Sequence, residues 1–268
     1  MPSRLADKWV LITGASSGFG AAGALAFAAE GAKLLLGARR VERLEQVAAE
    51  ARKAGAPVAL GHALDVEQTR SVEAFVAWAK ERIAHDSYST APALDVLVNN
   101  AGGAHGLDPV ATAKDVDWEA MMQSNVLGVL RMTRACLPLL VNNPGSLILN
   151  IGSIASRTAY EGGAAYCAAK AGELQITRAL RLELFGTGVR VGTLDPGLAE
   201  TEFSIVRFKG DTARAKKVYD GTLPLRGEDV AEAMVWMASR PPHVCIDEMI
   251  IKCTDQAAIY KLYRRPAQ

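Results

Sequence analysis

Short apolar runs alternate with longer stretches of helical period along most of the chain. Residues 9–12 (Trp-Val-Leu-Ile) are apolar at every position and end in a glycine cluster. That pattern suits a strand buried on both faces of a parallel sheet. Runs of the same kind recur at residues 33–36, 58–60, 95–98, 146–151, 189–194 and 248–251, which predicts about seven strands. Between them, residues 20–30 are alanine-rich, with Gly31 placed as a helix C-cap. Residues 41–54 put charges on one face and Leu44, Val47 and Ala51 on the other, closed by Gly55. Residues 67–83, 117–140, 164–185 and 228–238 repeat the helical pattern. Strand–helix alternation of this kind predicts an α/β fold, a doubly wound parallel sheet with helices on both faces and right-handed crossovers.

Two stretches break the rhythm. Residues 85–93 are polar and turn-rich, which predicts a surface loop. Residues 196–225 have no clean period yet contain Phe203, Val206, Phe208 and Tyr219. An irregular apolar segment after a strand's carboxyl end is where open α/β sheets place substrate lids. No repeat, low-complexity tract or linker divides the chain, so residues 1–268 read as one domain.

Charge and cysteine content narrow the partners. The 30 basic and 29 acidic residues nearly cancel. Such a surface lacks the field that steers proteins onto nucleic acid or anionic lipid, so neither is an expected partner. Cys136, Cys167, Cys245 and Cys253 are scattered, without the spacing of a metal or redox pair, and read as reduced core residues. No metal site is expected. The amino terminus lacks a secretory apolar region, and Glu30 and Lys33 interrupt the most apolar stretch, residues 24–38. A cytoplasmic protein is the expectation.

The chemistry begins where the first strand ends. Thr13-Gly14-Ala15-Ser16-Ser17-Gly18-Phe19-Gly20 leads directly into a helix. Glycines at 14, 18 and 20 let the backbone turn tightly and approach a pyrophosphate, which the helix amino terminus attracts. Gly14, Ser16, Ser17, Gly18, Phe19 and Gly20 are therefore candidate cofactor contacts. The second strand ends Gly37-Ala38-Arg39-Arg40, with no carboxylate to hold a ribose 2′-hydroxyl. Guanidinium groups instead offer forked donors to a 2′-phosphate, which favours NADP over NAD.

The strongest constellation lies later. Tyr166 follows Ser153 by thirteen residues, and Lys170 stands at i+4 from it on a predicted helix. The two side chains then share one helical face. A phenol ordinarily titrates near pH 10, and a nearby ammonium favours its ionised form. Ser153 is placed to hydrogen-bond a substrate oxygen.

Together these residues resemble the short-chain dehydrogenase/reductase family across nearly the whole chain. The likeness rests on Thr13-Gly14-x₃-Gly18-x-Gly20, Asp65, Asn99-Asn100-Ala101-Gly102, Asn125, Ser153, Tyr166-x₃-Lys170 and Pro196-Gly197. The resemblance implies a Rossmann-type fold and a catalytic tetrad of Asn125, Ser153, Tyr166 and Lys170. It assigns Asp65, with Val66 beside it, to the adenine. Asn99, Ala101 and Gly102 fall beside the cofactor ribose and Thr201 near the nicotinamide, with Pro196 and Gly197 also counted as cofactor contacts. Relatives are often tetramers, so a homotetramer or homodimer is implied.

The carboxyl-terminal third is similar to the NADP-dependent 3-hydroxy acid branch of that family, which includes serine and L-allo-threonine dehydrogenases. The branch's small substrates carry an anion near the reacting carbon. Arg207 in the lid and Arg157 after Ser153 are the candidate guanidinium partners, with Tyr166, Ser153 and Phe203 completing the substrate pocket. Glu161, in the run before Tyr166, departs from the branch's pattern and would set a negative charge near the pocket mouth. The expected activity is NADP-dependent interconversion of a short 3-hydroxy acid and its oxo form. Two rivals are a carbonyl reductase for bulkier uncharged ketones or aldehydes and a catalytically silent NADP-binding regulator.

Overall fold

The computed structural model describes residues 3–87, 91–141 and 143–266. Each of the seven apolar runs forms a strand: β1 (Trp9–Thr13), β2 (Lys33–Ala38), β3 (Ala59–Ala63), β4 (Val96–Asn99), β5 (Leu147–Ile151), β6 (Arg190–Pro196) and β7 (Glu248–Ile251). They make one sheet in the order β3-β2-β1-β4-β5-β6-β7, with every pairing parallel. The helices are α1 (Gly18–Ala29), α2 (Val41–Ala54), α3 (Thr69–Ser87), α4 (Asp115–Met122), α5 (Gly128–Leu140), α6 (Ala164–Glu183), α7 (Phe203–Arg207), α8 (Thr212–Lys217) and α9 (Gly227–Ala238). This is the Rossmann-type architecture that the strand–helix alternation predicts.

Alternate residues of one strand feed two separate cores. Val10, Ile12, Leu34, Leu36, Val96 and Val98 pack with side chains of α1, α2 and α9. Leu11, Leu35, Leu97 and Ile148 pack on the opposite face with residues of α3 and α5. Strands buried on both faces have no polar positions to spare, which is why they read as unbroken apolar runs. Because β1 sits between β2 and β4, the chain leaves it in opposite directions on its two sides. A crevice therefore opens beyond the carboxyl ends of β1 and β4, where such sheets bind ligands.

Three expectations need correcting. Residues 85–87 belong to α3, so the loop forecast for 85–93 starts later, and positions 88–90 lie outside the described residues. The stretch 117–140 is two helices joined by a wide π turn, Gln123–Leu127. Such turns are inserted at functional sites more often than elsewhere, and this one carries Asn125. The lid segment 196–225 holds the short helices α7 and α8. Both of its ends are tied together, Glu200 N donating to Leu225 O and Leu225 N to Leu198 O. A small hairpin of β8 (Gln256–Ala258) and β9 (Lys261–Leu262), which the sequence pattern does not announce, follows β7. Among the described residues no helix is long and apolar enough to cross a membrane.

Candidate active site

The crevice at the β1/β4 switch is a cleft of about 410 Å³. Its floor is the glycine loop. Gly14 has φ +67°, and a Cβ there would stand 2.9 Å from Ala101 Cα. A Cβ on Gly20 would stand 2.5 Å from the Gly14 carbonyl oxygen, so Gly20 shapes the loop from behind the cleft wall. Ser17 is the N-cap of α1 but makes no side-chain cap bond, and the first turn of α1 carries no acid. The uncapped amino terminus thus meets the cleft with its positive end unneutralised, a setting that attracts an anion. Gly14, Ser16, Ser17, Gly18 and Phe19 all line the space. This cradle fits the phosphates of a dinucleotide.

Residues from successive strand ends complete the walls. Arg39 and Arg40 follow β2, Asp65 and Val66 follow β3, and Ala101 and Gly102 follow β4. Thr201 and Phe203 reach over from the lid. A Cβ on Gly102 would lie 2.5 Å from Asn125 Oδ1, so only glycine leaves that amide its place. Asn99, Pro196 and Gly197 support the cleft rather than line it. Asn99 is buried and donates to Thr133 Oγ1 (3.0 Å) and Asn150 Oδ1 (2.9 Å). Pro196 ends β6, and Gly197 N bonds Ile251 O, pinning the lid's root to β7.

Arg40 is held for a task. Its Nη2 donates to Ser17 Oγ at 2.7 Å, and its Nη1 lies 3.0 Å from Glu202 Oε2. Arg43 binds the other Glu202 oxygen at 2.6 Å. Burial works against the Glu202 charge, but the hydrogen bonds of Arg43 and Arg40 outweigh it and hold the carboxyl below its ordinary range. Glu202 belongs to the lid, and nothing in the sequence marks it as a partner of residues so distant in the chain. Arg39, by contrast, has 73% of its side chain exposed.

The tetrad residues come from three elements, Tyr166 and Lys170 sharing α6. Asn125, fully buried on the π turn, donates to Gly103 O (2.9 Å) and Met121 O (2.8 Å) and accepts from Gly103 N (3.2 Å). Ser153 caps the 3-10 turn Ile154–Ser156, its Oγ accepting from Ala155 N. That turn packs against α6, which carries Tyr166 and Lys170 into the cleft lining. Lys170 Nζ donates to Ile151 O at 2.8 Å and to Glu173 Oε2 at 2.6 Å. Glu173 escaped the motif reading, although a charge at i+3 from Lys170 on an inward-facing helix stripe is a visible signal.

Arg157 must be corrected. Its guanidinium lies 2.7 Å from Asp195 Oδ2 and 2.7 Å from Glu248 Oε2, behind the site, and it does not line the cleft. Glu248 also accepts from Arg178 Nε at 2.8 Å. The Arg178 hydrogen bonds, then those of Arg157, hold the Glu248 carboxyl down at about 2 from an ordinary 4.5. A depressed carboxyl contributes stability above its unfolded value and loses it as pH falls. The melting temperature should therefore drop more steeply between about pH 5 and pH 2 in the native protein than in Glu248→Gln. Parallel thermal-melt curves for the two proteins would show that this pair contributes nothing.

Arg207 lines the small pocket beside the cleft, among three aromatic rings. Its guanidinium carbon lies 5.3 Å from the Tyr160 ring centre, 5.6 Å from Tyr166 and 5.7 Å from Phe203. It donates to Gly106 O at 3.2 Å and to the Tyr160 hydroxyl. Tyr160 folds over Gly163, where a Cβ would stand 2.2 Å from the ring. Glu161 is exposed and lines neither the cleft nor the small pocket beside it. Among the described residues no cluster of His, Cys, Asp or Glu could hold a metal ion. Three cysteines are buried as expected, but Cys245 is exposed, because its segment crosses the surface ahead of β7.

Comparison with known proteins matches this geometry to a family. The short chain dehydrogenase model matches residues 8–211. The chain belongs to the short-chain dehydrogenase family. It is an oxidoreductase acting on CH–OH groups. It is 40% identical over 266 residues to an NADP-dependent 3-hydroxy acid dehydrogenase of Schizosaccharomyces pombe, covering 99% of this chain and 100% of that one. It is 42% identical over 249 residues to a sulfoacetaldehyde reductase of Chromohalobacter salexigens, covering 92% and 94%. A closed serine dehydrogenase complexed with NADP+ superposes with a TM-score of 0.84 at 38% identity, covering 96% of this chain and 100% of that one.

Proposed function

We propose that this short-chain dehydrogenase uses NADP to interconvert a short 3-hydroxy acid, or a similar small anionic alcohol, and its oxo form. The carrying observation is the Arg207 guanidinium stacked 5.6 Å from the Tyr166 ring. A cation there faces an anion attached one or two bonds from the reacting carbon. The glycine loop and the amino terminus of α1 would hold the cofactor phosphates, and Arg40 with Arg39 its 2′-phosphate. Bound in the cleft, NADP would supply the hydride-transfer chemistry. Tyr166 moves the proton at the substrate oxygen, and Ser153 polarises that oxygen through its hydroxyl. Lys170 sets its positive charge near the phenol. Asn125 fixes the loop that carries Gly102 and Gly103.

A second reading has a specific observation behind it. Phe203 and Val206 line the same cleft, and apolar walls favour an uncharged ketone or aldehyde. The two readings part at Arg207. Truncating a charge-assisted partner of a substrate anion should cost kcat/KM roughly 1.5–3 kcal/mol, or about tenfold to a hundredfold. Arg207→Ala should show that loss on a 3-hydroxy acid and only a small change on its neutral methyl ester. Equal losses on acid and ester would mean that Arg207 merely braces Tyr160 and Gly106, and the neutral-carbonyl reading would take over.

A further inference from the structure

Tyr166, Lys170, Glu173 and Thr177 form one inward stripe on α6. Glu173 has 1% of its side chain exposed, and its Oε2 lies 2.6 Å from Lys170 Nζ. Its other oxygen, Oε1, is buried without a hydrogen-bond partner among the described residues. The position is surrounded by packed helix, with Ala169, Leu174 and Thr177 also buried. Folding alone has no use for a carboxyl here, since replacing a buried ion pair by apolar side chains of similar volume is often neutral or stabilising. The pair is adjacent to the proposed proton-transfer residue, and that is where its effect falls.

An ammonium has three protons to donate. Ile151 O and Glu173 Oε2 take two. The third is left to the cleft that Lys170 lines. Glu173 therefore fixes where the positive charge sits. It also sets a negative charge against it, so the phenol of Tyr166 experiences the difference between the two fields rather than a bare cation.

Other charged groups around the pair leave this arithmetic intact. Asp195 of β6 is the nearest second acid, and it is spoken for by Arg157 and the Thr193 hydroxyl. Glu248 of β7 is bound by Arg157 and Arg178. The π turn offers only the neutral Gln123, Ser124 and Asn125. On α4, Asp117 pairs with Lys209, while Asp115 and Glu119 are exposed. Arg207 stacks on the Tyr166 ring. Burial pushes the Glu173 carboxyl up, against the pull of Lys170, to about 7. Burial lowers Lys170, but the Glu173 charge outweighs it and raises the ammonium above its ordinary value. Lys170 stays charged.

We propose that Glu173 is the positioning residue of the active site, anchoring Lys170 and damping its field so that Tyr166 exchanges its proton at a higher pH than a bare lysine would dictate. The proposal rests on the reading of Tyr166 as the proton-transfer group.

The test is the pH profile of kcat/KM for alcohol oxidation, read beside an ultraviolet titration of phenolate in the ligand-free protein. Tyr166→Phe serves as the reference that isolates one phenol. Glu173→Gln keeps length and can still accept from Lys170 while removing the charge. Its acid limb should move to lower pH by about one unit, a tenfold gain at a fixed pH on that limb. The Tyr166 contribution to the phenolate titration should move the same way. Glu173→Leu, which fills the space with apolar volume, should show the same downward shift with a lower plateau, and it covers a Gln variant that fails to fold. Limbs that stay at the native pH, or move upward, overturn the proposal even if melting temperature or plateau rate changes. Native turnover in Tyr166→Phe instead overturns the reading beneath it, a result separate from any behaviour of Glu173.

Discussion

Tyr166→Phe is expected to lower turnover about a hundredfold or more while cofactor affinity stays near native. The substitution removes one hydroxyl and keeps the ring, so the packing that holds the site is preserved. Phe203 remains 5.4 Å from the ring centre, and the Arg207 guanidinium keeps an aromatic face beneath it. Lys170 is anchored by Ile151 and Glu173, not by the phenol, and does not move to compensate. The melting temperature should therefore change by no more than about 2 °C, as for a substitution of well under 1 kcal/mol. The loss then lies in chemistry, and it should appear in kcat and kcat/KM together. Fluorescence titration with NADPH checks the binding half of the prediction. Turnover within severalfold of native would remove Tyr166 from the acid–base role and shift the proton path to Ser153 or to solvent.

How much of this was legible in the sequence follows from where each signal is written. All seven strands were, because short apolar runs alternate with longer helical patterns; the central strands are buried nearly throughout, while β3 and β7 at the edges are only partly so. The cleft was legible as well, since the glycine loop and the strand ends of β2, β3 and β4 are local features that the sheet order gathers. The π turn was not, because residues 117–140 keep a helical period on both sides of it. The β8–β9 hairpin is short and half exposed, so its pattern is weak. Arg157 misled for a definite reason. It is four residues from Ser153, but Asp195 and Glu248 reach it from β6 and β7, and only the sheet order makes those strands neighbours. Glu202 was hidden in the same way, its partners Arg40 and Arg43 lying far earlier in the chain.

Arg40→Ala should cut the preference for NADP over NAD, measured as the ratio of kcat/KM values, by about a hundredfold. The estimate takes one lost charge-assisted contact at roughly 1.5–3 kcal/mol, the upper half applying because the guanidinium is forked. Arg40 is already oriented, with Ser17 Oγ at 2.7 Å on the rim of the phosphate cradle. A side chain held in place loses less freedom on binding than a free one. Arg39 is the contrast. Its side chain is 73% exposed, so screening and disorder dilute its pull, and Arg39→Ala should cost only about tenfold. Neither change should much affect NAD, which has no phosphate at the 2′ position. Glu202 sharpens the test. Its carboxylate lies on Arg40 and Arg43 in the ligand-free protein, so an arriving 2′-phosphate must share or displace it. Glu202→Gln should then tighten NADPH binding severalfold in the same titration, leaving NADH unchanged. If Arg40→Ala leaves the cofactor ratio at its native value, Arg40 serves only to tie the lid to the glycine loop through Glu202, and the 2′-phosphate is read by Arg39 or not at all.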